Sequence, residues 1–225
     1  MTITNLGLGQ TGTTTPNSLI ATKSAKKADP ISASLQKYGA KIQAQLDTTT
    51  TNLSTLGKFK ASVVTIQTAA NGLSALKVNT SGEDVKKALN SFVSSYNAML
   101  ASARSAAAGS GVDSISPGMT RAMTADFSRV NALRQMGFTK AGDGTLKLDM
   151  AKLDQALKAS PSNVSATLNQ LGRLVDKVAT KELAGDGSIQ DAFNTMSAKT
   201  STLQVQQNAL LKAAQQYASF AQGGA

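Results

Sequence analysis

The chain has 225 residues, 41% of them hydrophobic but only 4% aromatic and none of them tryptophan, a composition that suits thin helix–helix seams better than one thick core. It contains neither cysteine nor histidine, which excludes disulfide frameworks, thiol catalysis, Cys/His zinc sites and every triad that needs an imidazole. The net charge of +10 is spread thinly, with Lys23, Lys26 and Lys27 as its densest group and no basic face interleaved with aromatics, so a basic helical nucleic-acid-binding protein stands only as the alternative of another class.

Residues 1–28 are rich in Thr, Gly, Asn and Ser. Such a segment cannot bury enough apolar surface to offset its ordering, so it reads as a disordered N-terminal segment. It holds a G-x-G-x-x-G at Gly7, Gly9 and Gly12, but Thr13-Thr14-Thr15-Pro16 follows where a dinucleotide site needs a helix to begin. No positive region precedes a long apolar stretch, so no Sec signal peptide is expected, and no apolar run approaches the ~18–20 residues of a membrane span.

Asp29-Pro30 opens the first long helix, a rod helix over 29–76, with Asp as N-cap and Pro at the first helical position. Its apolar positions fall three or four apart: Ile31, Leu35, Tyr38, Ile42, Leu46, Leu53, Leu56, Phe59, Val63, Ile66, Ala70, Leu73 and Leu76. The β-branched, polar run Thr48–Asn52 is its weak point, where a bend or break is expected. A domain over 77–188 follows. Thr80 and Glu83 read as a capping box for a helix striped by Val85, Leu89, Phe92, Tyr96 and Met99 or Leu100. Ser116-Pro117 starts another helix, with Met119, Met123, Phe127, Val130 and Leu133 on one side.

The period changes near residues 136–149, where Phe138-Thr139 and Thr145–Leu148 flank Gly142-Asp143-Gly144 and predict a β-hairpin. One carboxylate between glycines is far short of a calcium loop. Asp149 caps a short helix carrying Leu153, Ala156 and Leu157; Ser160-Pro161 caps the next, striped by Val164, Leu168, Leu171, Val175 and Val178. Gly185-Asp186-Gly187 ends it before a last rod helix over 189–225, striped by Phe193, Met196, Thr200, Leu203, Gln207, Leu210, Ala214, Tyr217 and Ala221.

The fold class expected is mainly α: an elongated bundle or coiled coil of the N- and C-terminal helices with a small β-hairpin subdomain. Candidate self-assembly or partner-helix faces are Leu35, Ile42, Leu46, Leu53, Leu56, Val63 and Ile66 on the first helix and Phe193, Met196, Leu203, Leu210 and Tyr217 on the last. Thr200 and Gln207 are the polar positions of that seam, the kind that sets register or oligomer state. No catalytic residue, metal ligand or cofactor site emerges, and an enzyme is not expected.

The order of these pieces resembles flagellar hook-associated protein 2, the filament cap family. The run from Gly137 to Leu157, GFTKAGDGTLKLDMAKLDQAL, is similar to that family's "lGi-t-dGtL-lD-kL-aL" segment, and Ser160–Val164 matches the turn after it. Ala88–Leu100 resembles its "fv-aYNaL" helix, Leu53–Leu73 its "lsalgklksalstLqsal-L" stretch, and Leu6–Gly9 its N-terminal "lGiGSGlD", although the Asp is missing. Phe92, Tyr96, Asn97, Gly137, Asp143, Gly144, Leu146, Leu148 and Leu153 stand on matching positions and form the family-motif core. Two departures stand out: the family's large β-rich insertion is replaced by Lys77–Gly82, and the closing "qF-amd" pattern is absent, so the chain looks like a reduced form.

The resemblance implies an extracellular structural protein of the bacterial flagellum, exported by the type III apparatus. It implies self-assembly as a homo-oligomer, with flagellin, hook-associated proteins and an export chaperone on the C-terminal helix as partners. A hook–filament junction protein or another type III-exported adaptor is the alternative within the same architecture.

Overall fold

The computed structural model describes residues 29–110 and 131–223. Among these the elements are α1 (Pro30–Ser74), α2 (Gly82–Ser110), α3 (Asn131–Gln135), β1 (Phe138–Lys140), β2 (Leu146–Leu148), α4 (Met150–Ala159), α5 (Pro161–Leu183) and α6 (Ser188–Gly223). The protein is mainly α with one small two-stranded antiparallel sheet. The readings of residues 1–28, of their glycine motif, and of the helix carrying Met119, Met123, Phe127 and Val130 lie outside the described residues.

The helix boundaries follow local chemistry. Asp29 Oδ1 accepts from the Ile31 N–H at 3.3 Å, and Pro30 needs no N–H partner where α1 begins. Helical hydrogen bonding continues through Thr48–Asn52, so no break occurs there; Thr49 and Asn52 are buried, and packing overrides their weak propensity. The cap of α2 differs from the expected Thr80–Glu83 pair by one residue. The Asp84 N–H donates to Ser81 Oγ at 3.1 Å and Ser81 Oγ donates to Asp84 Oδ2 at 2.6 Å, while Thr80 Oγ1 accepts from the Lys77 N–H at 2.9 Å. Thr80 is thus spent on the turn over 75–81, which leaves the next hydroxyl to cap the helix. Asp149 caps α4 through the N–H groups of Ala151 and Lys152 at 3.0 and 3.2 Å, whereas Ser160 stands at the N-cap of α5 without a side-chain cap bond and Pro161, which needs no N–H partner, marks that start.

The described residues fall into two compact units, one drawn from Thr48–Thr200 and one from residues before Thr48 together with those after Thr200. The larger unit holds a single continuous core. Leu56, Phe59, Val63, Ile66, Ala70 and Leu73 of α1 pack in one cluster with Val85, Leu89, Phe92, Tyr96 and Met99 of α2 and Val164, Leu168, Leu171 and Val175 of α5. Tyr96, Phe59 and Phe92 are the largest fully buried side chains among the described residues, so three of the chain's nine aromatics anchor this core.

Helix α5 lies close against α1. Gly172 makes this possible: a Cβ there would stand 2.4 Å from the Ala70 carbonyl oxygen and 2.6 Å from the Ser74 nitrogen. Either side of that contact, Gln67 Nε2 donates to Asp176 Oδ1 and Thr180 Oγ1, both at 2.9 Å, and Ser165 Oγ donates to the Leu76 carbonyl at 3.2 Å. Residue numbers rise along α1 as they fall along α5, so the two helices run antiparallel.

Candidate assembly surface

The smaller unit is a pair of antiparallel helix segments, the start of α1 and the end of α6. Leu210 of α6 rests over Gly39 of α1, its Cδ2 3.4 Å from where a Cβ on that glycine would sit. One turn along, Gln207 Nε2 donates to Gln43 Oε1 at 2.8 Å, and Gln43 Nε2 donates to Asp47 Oδ1 at 2.8 Å. A part-buried polar pair of this kind is the sort of contact that specifies register in an otherwise apolar seam. Gln207 thus faces α1 in the seam, as its place in the stripe suggests. Thr200, in the larger unit, instead donates its hydroxyl to the Met196 carbonyl of its own helix at 3.0 Å.

Burial along this pair is incomplete. Leu46 and Leu203 are buried, whereas Leu35, Ile42, Leu210 and Tyr217 are only half-buried. Off the seam, Ile31, Tyr38, Val205 and Phe220 are 51%, 62%, 68% and 80% exposed, and the other exposed large apolar residues among the described ones are Val64 and Val78. Among the described residues of this unit no third element covers the flanks of the helix pair, and the apolar residues there stand exposed.

The remaining candidate faces lie in the larger unit. Leu56, Val63 and Ile66 are fully buried, Leu53 half-buried and Met196 buried, so the chain covers these positions itself. Phe193 is half-buried, with Lys60 Nζ 5.6 Å from its ring centroid. A face already filled by its own chain is not open to a neighbour. The free apolar surface is therefore shorter than the sequence stripe.

The motif residues converge on the hairpin. β1 and β2 pair antiparallel with Phe138 opposite Leu148 and Lys140 opposite Leu146. Asn97 of α2 donates from Nδ2 to the Leu146 carbonyl at 2.9 Å and accepts the Leu146 N–H on Oδ1 at 2.8 Å. Asp143 Oδ1 accepts from the Thr145 N–H at 3.0 Å and its hydroxyl at 2.7 Å, and Arg104 donates to the Asp143 carbonyl. The Thr145 hydroxyl and N–H, with the Arg104 charge nearby, hold the Asp143 carboxyl below its ordinary range. Gly144 and Gly137 have φ of +82° and +96°; at Gly137 a Cβ would also lie 2.6 Å from the Asp149 carbonyl oxygen. Phe92, Tyr96, Leu146 and Leu153 are buried, Leu148 is half-buried, and burial raises the pKa of the Tyr96 phenol against the opposing Arg104 charge.

Sequence reasoning missed Gly39 and Gln43, the α1 partners of the terminal seam. Gln43 is a polar residue beside Ile42, and its only local signal is its place on the edge of the stripe. No group of three or more His, Cys, Asp or Glu residues that could hold a metal exists among the described residues, and no helix among them is long and apolar enough to cross a membrane.

The family model described as flagellar hook-associated protein 2 C-terminus matches residues 50–220, about three quarters of the chain. No curated protein and no solved structure matches it. The match spans the compact core, the Asn97-held hairpin and most of α6. On this evidence the chain belongs to the flagellar hook-associated protein 2 family, structural proteins of the bacterial flagellar cap.

Proposed function

We propose that this chain is a self-assembling subunit of the distal flagellar cap, in which the terminal helix pair is the assembly element and the 48–200 unit is the rigid body it carries. The observation that carries this reading is the uneven burial of the terminal pair. Leu35, Ile42, Leu210 and Tyr217 are half-buried, while the core of the larger unit is closed. Covering such a stripe gains roughly 25 cal/mol per Å² of apolar area before ordering costs, so packing copies together is favoured over leaving the pair in water.

In this reading the subunit leaves the cell through the type III apparatus, with an export chaperone covering the apolar C-terminal helix until then. It acts outside the cell with hook-associated proteins, and promotes polymerisation of exported flagellin. The domain plan that goes with it has an N-terminal export segment over 1–28, terminal rod helices over 29–76 and 189–225, and a helical domain between them. The test is complementation of a cap-deletion strain. The wild-type chain should restore filaments, whereas Leu46→Asp with Leu203→Asp should release unpolymerised flagellin into the medium. Failure in the cap-deletion strain, with hook attachment restored in a junction-deletion strain, would assign the chain to the hook–filament junction instead.

A further inference from the structure

Helix α6 has two usable faces in the smaller unit, and the described residues cover only one. The inner face, with Leu203, Gln207, Leu210, Ala214 and Tyr217, meets α1. On the other side Val205, Ala209, Ala213, Gln216 and Phe220 follow the same three- and four-residue spacing, and all of them are exposed. Helix α1 likewise carries Ile31 and Tyr38 seven residues apart, exposed and off the Leu35–Gly39–Ile42–Leu46 seam.

Charge narrows what can cover these faces. From Ser201 to Gly223 the only charged residue is Lys212, and from Asp29 to Asp47 they are Asp29, Lys37, Lys41 and Asp47. A solvated helix is ordinarily charged on its outer side. An acidic partner or a phosphate backbone finds almost nothing to pair with on the outer face of α6. A surface of Ala, Gln and a few large apolar residues matches another surface of the same kind. The internal seam, apolar contacts around a Gln43–Gln207 hydrogen bond, shows that this chemistry already joins α1 to α6.

We propose that the outer face of α6 docks on the Ile31–Tyr38 flank of α1 in a second copy, a head-to-tail contact that repeats the internal pairing from copy to copy. The register follows from the internal seam, where residue 39 meets 210 and 43 meets 207. Copies standing side by side at one level place the neighbour's Ile31 beside Phe220 and its Tyr38 beside Ala213. Because the two docking faces differ, the contact is heterologous and propagates until the rotation closes. The proposal rests on the reading of the terminal pair as the assembly element and names the surface that assembly uses.

The chain has no native cysteine, so introduced ones report contacts without background. The full chain with Tyr38→Cys and Ala213→Cys, oxidised at a concentration where sedimentation shows assembly, should give a covalent ladder of dimers, trimers and larger species. Neither single variant should give one. Adding Phe220→Glu should remove the ladder and shift sedimentation to the monomer while the helical signal is kept. A dimer band from Ala213→Cys alone indicates a two-fold contact and overturns the proposal. Assembly in sedimentation without a ladder overturns this surface but leaves the assembling subunit intact. Failure to sediment as anything but a monomer, together with failure to restore filaments, removes the reading beneath it.

Discussion

The side-chain amide of Asn97 closes both of its hydrogen bonds on the backbone of Leu146, donating to the carbonyl at 2.9 Å and accepting the N–H at 2.8 Å. Leu146 lies opposite Lys140, a position between the ladder bonds of the hairpin, whose neighbouring pair exchanges Ala141 N–H for the Thr145 carbonyl at 2.9 Å. Its own backbone groups therefore point away from β1, and Asn97 takes the place of a third strand. A two-stranded hairpin is marginal by itself, and this clamp ties it to α2.

Asn97→Ala should lower the stability of the larger unit by about 1–3 kcal/mol, because both Leu146 groups lose their partner in a part-buried site. Urea unfolding gives the size of the effect, and amide exchange gives its place. The Leu146 amide should exchange faster while amides in α5 keep their order of protection. Unchanged Leu146 protection would mean that the hairpin is held by packing alone.

Two glycine-to-alanine changes in helices should move stability in opposite directions. Gly172→Ala inserts a methyl 2.4 Å from the Ala70 carbonyl oxygen and should cost about 1–3 kcal/mol as α1 and α5 are pushed apart. Gly57→Ala has nothing within 4 Å and should stabilise by about 0.5–1 kcal/mol through lower chain entropy in the unfolded state. Thermal midpoints of the two variants, compared with the parent, check both signs.

The hairpin tip should loosen in acid. The Thr145 hydroxyl, the Thr145 N–H and the Arg104 charge hold the folded-state pKa of Asp143 below its unfolded value. Its contribution is therefore fully present above the unfolded value, within the ordinary aspartate range, and is lost as pH falls through the depressed folded pKa. NMR titration of Asp143 should show the lowered midpoint, and Thr145→Val should move it back toward the ordinary value. A midpoint unchanged by Thr145→Val would assign the shift to the residue 145 N–H, which that variant keeps, together with Arg104.

In the terminal seam, replacing Gln43 and Gln207 together by leucine should raise the thermal stability of the helix pair and relax its register. Replacing Gln207 alone should weaken the pair, because Gln43 Oε1 loses the donor that now stands 2.8 Å away. Disulfide trapping between Gly39→Cys and Leu210→Cys measures register directly. The double leucine variant should trap that pairing less selectively than the parent.

Much of this protein is written locally. The 3.6-residue period, Asp29-Pro30, Ser160-Pro161 and Gly185–Gly187 mark where helices begin and end, and Gly142-Asp143-Gly144 marks the hairpin turn. These signals are legible because each depends on neighbours within one turn of the chain. The cap at Ser81–Asp84, one residue from the Thr80–Glu83 pair the pattern suggests, shows the limit even there, since both hydroxyls fit and the fold of the turn over 75–81 decides between them.

An apolar period states which face of a helix will be buried, but not what covers it. The sequence by itself determined that α1 and α6 carry long stripes; the tertiary structure decided where each stripe is used. From Leu56 to Leu73 it is consumed by α2 and α5, helped by the close approach that Gly172 allows, while around Leu35, Ile42, Leu210 and Tyr217 a two-helix pair leaves it half in water. The Asn97–Leu146 clamp joins residues 49 positions apart, and no local rule pairs an asparagine with a backbone so distant. Coverage depends on contacts between remote segments, and those exist only once the chain has folded.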